Sequence, residues 1–220
     1  MDDKRLNDLL KWSIQNTDTT TTNGSTNEST AAPPTSDLTP ELMEAIMGGP
    51  SDADLMKASM EIITAPDSED VSLEDRIIAF DNFEQLIEGL DNANNIANLS
   101  LWTPLLEQLR HDEREIRKMA AWCIGTAVQN NERTQERLLA MGEHGLPQLV
   151  HIATHEDEHE DVRRKAVYAL SSACRNYQPS MDVFADELTK KGHATGKVDA
   201  TDMDAVDVVV HGLRDKIKKA

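Results

Sequence analysis

The chain has 220 residues, enough for one sizeable domain with tails, and 39% of them are hydrophobic while only 4% are aromatic. A core must therefore be built from Leu, Ile, Val, Ala and Met, which favours helices over sheets. The formal net charge of -18 argues against nucleic acid and anionic membranes, because an acidic surface repels phosphate and lacks the Lys/Arg stripe that counterion release requires.

In chain order, residues 1–16 form a short apolar island, with Leu6, Leu9, Leu10, Trp12 and Ile14 set among Lys4, Arg5 and Lys11. Neither this island nor any later stretch approaches the roughly 18 apolar residues of a membrane span, so a cytoplasmic protein is expected. Residues 17–38 are a Thr/Asn/Ser-rich tether passing through Pro33 and Pro34. With almost no apolar side chain to offset the entropy of ordering, it is expected to be disordered. The folded domain is expected to occupy residues 39–220.

Thr39 and Pro40 form an N-cap followed by a first-turn proline, and Gly48, Gly49 and Pro50 end that helix. Asp52 then caps a helix to about Ile63, closed by Pro66. Ser72 with Asp75 three residues on reads as a capping box, opening a longer helix through Ile77, Phe80, Phe83, Leu86 and Ile87 at the 3.6-residue period.

Repetition is the most informative signal. IRKMAAWCIGTAVQN (116–130) lies over VRRKAVYALSSACRN (162–176), pairing Arg117 with Arg163, Ala120 with Ala166, Trp122 with Tyr168 and Asn130 with Asn176. A shift of about 41 residues brings Arg76, Ala79 and Phe83 onto the first of these segments. Periods of about 40–47 residues are those of armadillo or HEAT repeats. Thr103–Pro104 and Gly145–Pro147 start a short helix before each long one, so two helices per unit are expected. Ala120, Gly125 and Ala127 allow close helix approach. Asp202 caps a closing helix with Met203, Val206, Val210, Leu213 and Ile217 on one stripe, and Lys216, Lys218 and Lys219 at its end suit the helix dipole. The fold expected is an all-α helical-repeat solenoid with a disordered N-terminal segment.

IIAFDNFEQLIEGLDNANNIANLSLWTPLL (77–106), IGTAVQNNERTQERLL (124–139), RRKAVYALSSACRNYQP (163–179) and LLKWSIQN (9–16) together resemble the fungal armadillo-type nucleotide exchange factors of 70-kDa heat-shock chaperones, whose animal relatives are the heat-shock-protein-binding proteins. The resemblance covers nearly all of the chain outside the tether. It implies that the armadillo core grips one lobe of the chaperone nucleotide-binding domain and favours an open cleft, so that ADP leaves, ATP enters and the client is released. It also implies partner contacts at Asp91, Asn92, Ala93, Asn94 and Asn95, read as a loop that another protein approaches closely; the plainer reading is that these residues end one helix and cap the next. Leu9, Leu10, Trp12 and Ile14 are implied to enter the chaperone's client-binding groove as a client mimic, against the plainer reading of an amphipathic helix docking on its own domain. Some relatives carry further repeats beyond the one ending near Asn176. This chain is read as passing from Tyr177 through a Lys/Gly-containing loop to its final helix.

Other chemistries find little support. No GxGxxG, GxxxxGK[ST], HExxH or GxSxG is present, so neither catalysis nor a cofactor is expected. Cys123 and Cys174 lie within core patterns and are read as buried and reduced. His151, His155 and His159 stand four residues apart beside carboxylates, but the intervening stretch reads as an inter-helix connection, and no metal is expected. Arg117, Arg163 and Arg164 are candidates for a concave face that meets an acidic partner, with surface ion pairs as the plainer reading. The alternative function is an armadillo peptide-binding adaptor without exchange activity. Such adaptors use a ladder of Trp with Asn one turn later, whereas Trp122 and Tyr168 are followed by Thr126 and Ser172, and Trp122 is read as core. A monomer is expected.

Overall fold

The computed structural model describes residues 49–66, 71–193 and 195–217. The chain divides into two compact units, Met1–Ser51 and Asp52–Ala220. Of the first, only residues 49–51 are described, so the expected helix after Pro40, the tether and the island with Leu9, Leu10, Trp12 and Ile14 lie outside the described residues.

The regular elements of the second unit are helices: α1 (Asp52–Ile63), α2 (Leu73–Ile87), α3 (Leu90–Asn98), α4 (Trp102–Glu107), α5 (Arg114–Ala127), α6 (Glu132–Ala140), α7 (Leu146–Thr154), α8 (Glu160–Cys174), α9 (Gln178–Lys190) and α10 (Met203–Ile217). The capping box at the start of α2 is present, with Ser72 Oγ accepting from the Asp75 amide and Asp75 Oδ2 accepting from the Ser72 amide. Asp202 Oδ1 accepts from the Ala205 amide and so caps α10. Asn130 and Asn176, paired in the sequence repeat, both adopt positive φ (52° and 60°) just beyond α5 and α8. Asn tolerates this left-handed conformation better than most side chains, which explains its recurrence there.

The long helices α2, α5, α8 and α10 stack side by side, each on the next. A second row, α1, α4 and α7, packs on α2, α5 and α8, and a third row, α3, α6 and α9, runs in contact along the stack. Each complete repeat therefore has three helices, where two were expected from the sequence. The helices missed are α3, α6 and α9, the last lying within the stretch read as a loop. Their apolar content is sparse: α6 buries Thr134, Gln135 and Leu138. Thr134 donates to Ala127 O at 2.7 Å, and Gln135 Nε2 to Ser172 O at 2.9 Å and Arg175 O at 3.1 Å. Hydrogen bonds to carbonyls of neighbouring helices replace the apolar stripe that would have marked a helix.

Gly125 does serve close approach. A Cβ there would meet the Tyr168 ring at 2.5 Å and the Ala169 Cα at 3.1 Å, so α5 and α8 touch backbone to backbone at this point. Cys123 and Cys174 are free and buried, and burial pushes both thiols well up from their ordinary titration range.

The recurring arginines act within the repeats. Arg76 Nη2 donates to Ala65 O at 2.6 Å, Arg117 Nη1 to His111 O and Asp112 O at 2.7 Å each, and Arg163 Nε to Ala153 O at 3.3 Å. Each one ties the start of a long helix to carbonyls at the end of the preceding helix or in the turn after it, satisfying acceptors a helix terminus leaves open. Arg117 also forks onto Glu158 through Nε at 2.7 Å and Nη2 at 2.9 Å.

Candidate partner-binding cleft

The exposed sides of α5, α8 and α10 enclose a cleft of about 820 Å³ lined by Lys118, Trp122, Arg164, Lys165, Tyr168 and Arg214, with Met119 and Asp161. Helical spacing builds it. Lys118 stands one turn before Trp122, and Arg164 and Lys165 stand one turn before Tyr168, so both aromatics emerge beside cations on the same face. Lys165 Nζ lies 3.8 Å from the centre of the Trp122 ring and 5.8 Å from that of Tyr168, an arrangement in which the ring quadrupole stabilises the ammonium. Burial lowers the Lys165 pKa, and the nearby Glu84 opposes that shift. Tyr168 is held from its far end by a 3.1 Å bond to Gln129 Oε1, and Arg164 Nε reaches Glu160 Oε1 at 2.6 Å.

In a chain of net charge -18, four cations and one carboxylate line this cleft. Lys118 and Arg164 are paired with Glu115 and Glu160, so Lys165 and Arg214 give this aromatic-floored surface the positive charge that suits an acidic protein face. Trp122, read from the sequence as core, is instead half-buried, with its ring in the cleft. The signal was in the sequence: Trp122 and Tyr168 occupy the same place in successive repeats, each behind a basic residue.

The other candidate residues are distributed differently. Asp91, Asn92, Ala93, Asn94 and Asn95 lie within helix α3, not in a loop. Ala93 is 3% exposed, so its methyl packs inside the domain and no partner reaches it without displacing the helix. Asn92 Nδ2 donates to Asp52 Oδ2 at 2.8 Å and Leu86 O at 2.9 Å, tying α3 to α1 and to the end of α2. Asn94 Oδ1 accepts from Asn131 Nδ2 at 3.2 Å, and Asn95 Oδ1 from Asn98 Nδ2 at 3.1 Å. Asp91 is exposed. Arg163 is 5% exposed and bonded to Ala153, whereas its neighbour Arg164 faces the cleft; only Arg164 of the two is available to a partner. The α3 residues and Arg164 thus sit on different rows of helices.

His151 and His155 stack edge to face with centroids 5.2 Å apart, while His159 caps α8 by accepting from the Asp161 amide. The three fall on a helix, its C-cap and the next N-cap, and among the described residues no cluster has the geometry of a metal site.

Residues 6–96 match the family model for the nucleotide exchange factor Fes1, and residues 92–187 match that for the SIL1/FES1/HPBP1 C-terminal domain. A Gibberella zeae protein named Hsp70 nucleotide exchange factor FES1 is 72% identical over the full length of both chains. The chain belongs to the Fes1 family. The Neurospora crassa Hsp70 nucleotide exchange factor fes-1 is 51% identical over 99% of this chain and all of its own length. The Saccharomyces cerevisiae Hsp70 nucleotide exchange factor FES1 is 43% identical over 80% of this chain and 58% of its own. The fold is also similar to the crystal structure of an engineered protein, with a TM-score of 0.54 at 18% identity, covering 81% of this chain and 67% of that one. Among the described residues no helix is long and apolar enough to cross a membrane.

Proposed function

We propose that this chain is a cytosolic, non-catalytic nucleotide exchange factor for a 70-kDa heat-shock chaperone, binding the chaperone nucleotide-binding domain and promoting ADP and client release. The observation that carries this reading is the 72% identity, end to end, with a protein named for that activity. The α5/α8/α10 cleft supports it by offering a rigid, positively charged, aromatic surface of the kind that anchors protein interfaces. A factor of this class binds the nucleotide-free chaperone more tightly than the ADP-bound one, and by reciprocity it weakens ADP binding by the same factor. It needs differential contacts with two chaperone states and no reacting group.

Residues Leu9, Leu10, Trp12 and Ile14 are assigned the client-mimic role, entering the chaperone's client-binding groove. The partner-facing residues are assigned to the exposed members of the two candidate groups, Asp91 on α3 and Arg164 on α8, together with Trp122 and Lys165.

Stopped-flow release of a fluorescent ADP from an Hsp70 chaperone, chased with excess ATP, tests the reading. Release should accelerate with the concentration of this protein, and a Trp122→Ala/Lys165→Ala double variant should need at least tenfold more protein for the same rate, the effect of a lost hot spot. No acceleration by the folded wild-type protein would sink the exchange reading. Deletion of residues 1–16 should leave ADP release intact while slowing client release.

A further inference from the structure

Arg117 and Arg163 hold the same place in successive repeats, yet their guanidinia end differently. Arg117 gives Nη1 to the carbonyls of His111 and Asp112 and forks Nε and Nη2 onto Glu158, a carboxylate of the following repeat. Arg163 gives Nε to Ala153 O at 3.3 Å. Its two Nη groups bond to no described residue, and neither is among the unpartnered side-chain nitrogens sealed from solvent. Both therefore keep open surface, although the residue as a whole is only 5% exposed.

That surface gives onto a cavity of about 320 Å³, walled by Arg163 together with Ala153, Glu156, His193, Leu213 and Lys216. None of these residues lines the α5/α8/α10 cleft. Lys216 Nζ lies 2.7 Å from His193 Nδ1, which keeps the ammonium at the wall. Burial and that ammonium lower the His193 pKa, with the Glu156 charge opposing them, so the ring is neutral at neutral pH. The fixed charges of the wall are then Arg163 and Lys216 against Glu156. A guanidinium withdrawn from water with two donor groups unanswered is costly. One repeat earlier, the group that answers it is a carboxylate.

We propose that this cavity binds a small free carboxylic acid, whose carboxylate accepts from the two Arg163 Nη groups as the Glu158 carboxylate accepts from Arg117, with the Lys216 ammonium adding charge at the wall. The planar guanidinium edge offers two parallel donors, the geometry that a carboxylate matches. Glu156 selects against phosphate, because its charge opposes a dianion more than a monoanion. Ala153 and Leu213 supply apolar wall for the methylenes of the acid. With Arg163 so nearly covered, the opening admits a small molecule where a folded protein face does not reach. The site is independent of the exchange reading, since none of its residues belongs to the cleft.

The full-length ¹⁵N-labelled protein is titrated with propionate, its neutral isostere propionamide, inorganic phosphate and an acetylated, amidated tetraglutamate peptide, with ionic strength held constant by sodium chloride. The Arg163 Nε–H resonance, assigned by its loss in Arg163→Lys, should move saturably with propionate and stay in place with propionamide, as should the amides of Thr154 and His193 in the cavity wall. Arg163→Lys keeps the charge and removes the fork. It should weaken binding at least tenfold, the loss of one charge-assisted hydrogen bond or more, read from those two amides. Glu156 and Lys216 are both exposed, so their variants keep the test open should Arg163→Lys fail to fold. Glu156→Gln should tighten binding and Lys216→Gln should weaken it, each at least twofold. The proposal is overturned if the three resonances do not move at tens of millimolar propionate, if propionamide moves them equally, or if Glu156→Gln and Lys216→Gln both bind as wild type. A response to phosphate alone, or to tetraglutamate alone, would equally overturn it, leaving a site for an oxyanion or for an acidic polypeptide.

Discussion

The two complete repeats and the closing unit solve the same packing problem by different means. In the repeats ending in α5 and α8, the long helix is covered by a middle helix, α4 or α7, that supplies buried Trp102 and Leu105 or Leu149 and Val150. Between α9 and α10 the described residues, 191–193 and 195–202, form no helix in that place. It is held by polar bonds: Gln178 Nε2 donates to Val198 O at 2.9 Å, Gln178 Oε1 accepts from the Ala200 amide at 2.8 Å, and the Asn176 amide donates to Ala200 O at 2.9 Å. One amide side chain stands where a helix would be, and Ala200, fully buried, is the apolar plug beneath it. Burial over a whole helix face scales with area, whereas a hydrogen-bonded strap contributes about a kilocalorie per bond. The closing unit should therefore be the less stable end of the stack.

The sharpest test compares one substitution in both regions. Leu170→Ala, at a fully buried site on α8, should cost about 2–5 kcal/mol in urea denaturation, and Leu213→Ala on α10 should fall at the low end of that range. Equal costs would break the comparison. Gly125→Val should cost about 1–3 kcal/mol by overpacking, because its side chain would push into the Tyr168 ring; the cleft would be reshaped from below.

Gln178→Ala should cost about 1–2 kcal/mol, as two partly buried backbone groups lose their partner. Hydrogen exchange should show amides of residues 195–202 losing protection while those of α5 and α8 keep theirs. Uniform loss across the stack would mean that the closing unit is as cooperative as the rest. The smallest effect belongs to Glu158→Gln, at most about 1 kcal/mol for this partly exposed pair. Burial of Glu158 raises its pKa, but the hydrogen bonds from Arg117 and the His159 amide, together with the Arg117 and His155 charges, outweigh this and hold it below the usual carboxylate value. Its contribution is thus complete above the ordinary carboxylate range and lost as pH falls through the lower folded value. The difference between wild type and Glu158→Gln should vanish over that acidic window.

Legibility followed the apolar pattern. The capping box at Ser72, the long helices and the 46-residue spacing between their equivalent segments were readable because large apolar residues recur at helical period and punctuation residues sit at fixed offsets. The helix carrying Asp91, Asn92, Ala93, Asn94 and Asn95 was not, since only Ala93 and Ile96 are buried on it and its asparagines bond to distant groups such as Asp52 and Asn131. Arg163 and Arg164, adjacent in sequence, point to opposite fates, one bonded inside the repeat and one in the cleft; a residue's facing on a packed helix depends on what lies against it.

The sequence by itself determined the class, the repeat period, the family and the ends of the principal helices, because these depend on periodicity and local hydrogen bonding that neighbouring residues in the chain carry. Only the tertiary structure decided that each complete repeat has three helices, that the recurring arginines clamp inter-helix turns, and that Trp122 and Lys165 form a cleft. The stacking and the cleft come from contacts between residues some 30–45 positions apart, such as Arg117 with Glu158 and Gly125 with Tyr168, and the arginine clamps from bonds that cross from one helix to the turn before it; neither leaves a periodic trace within a single helix.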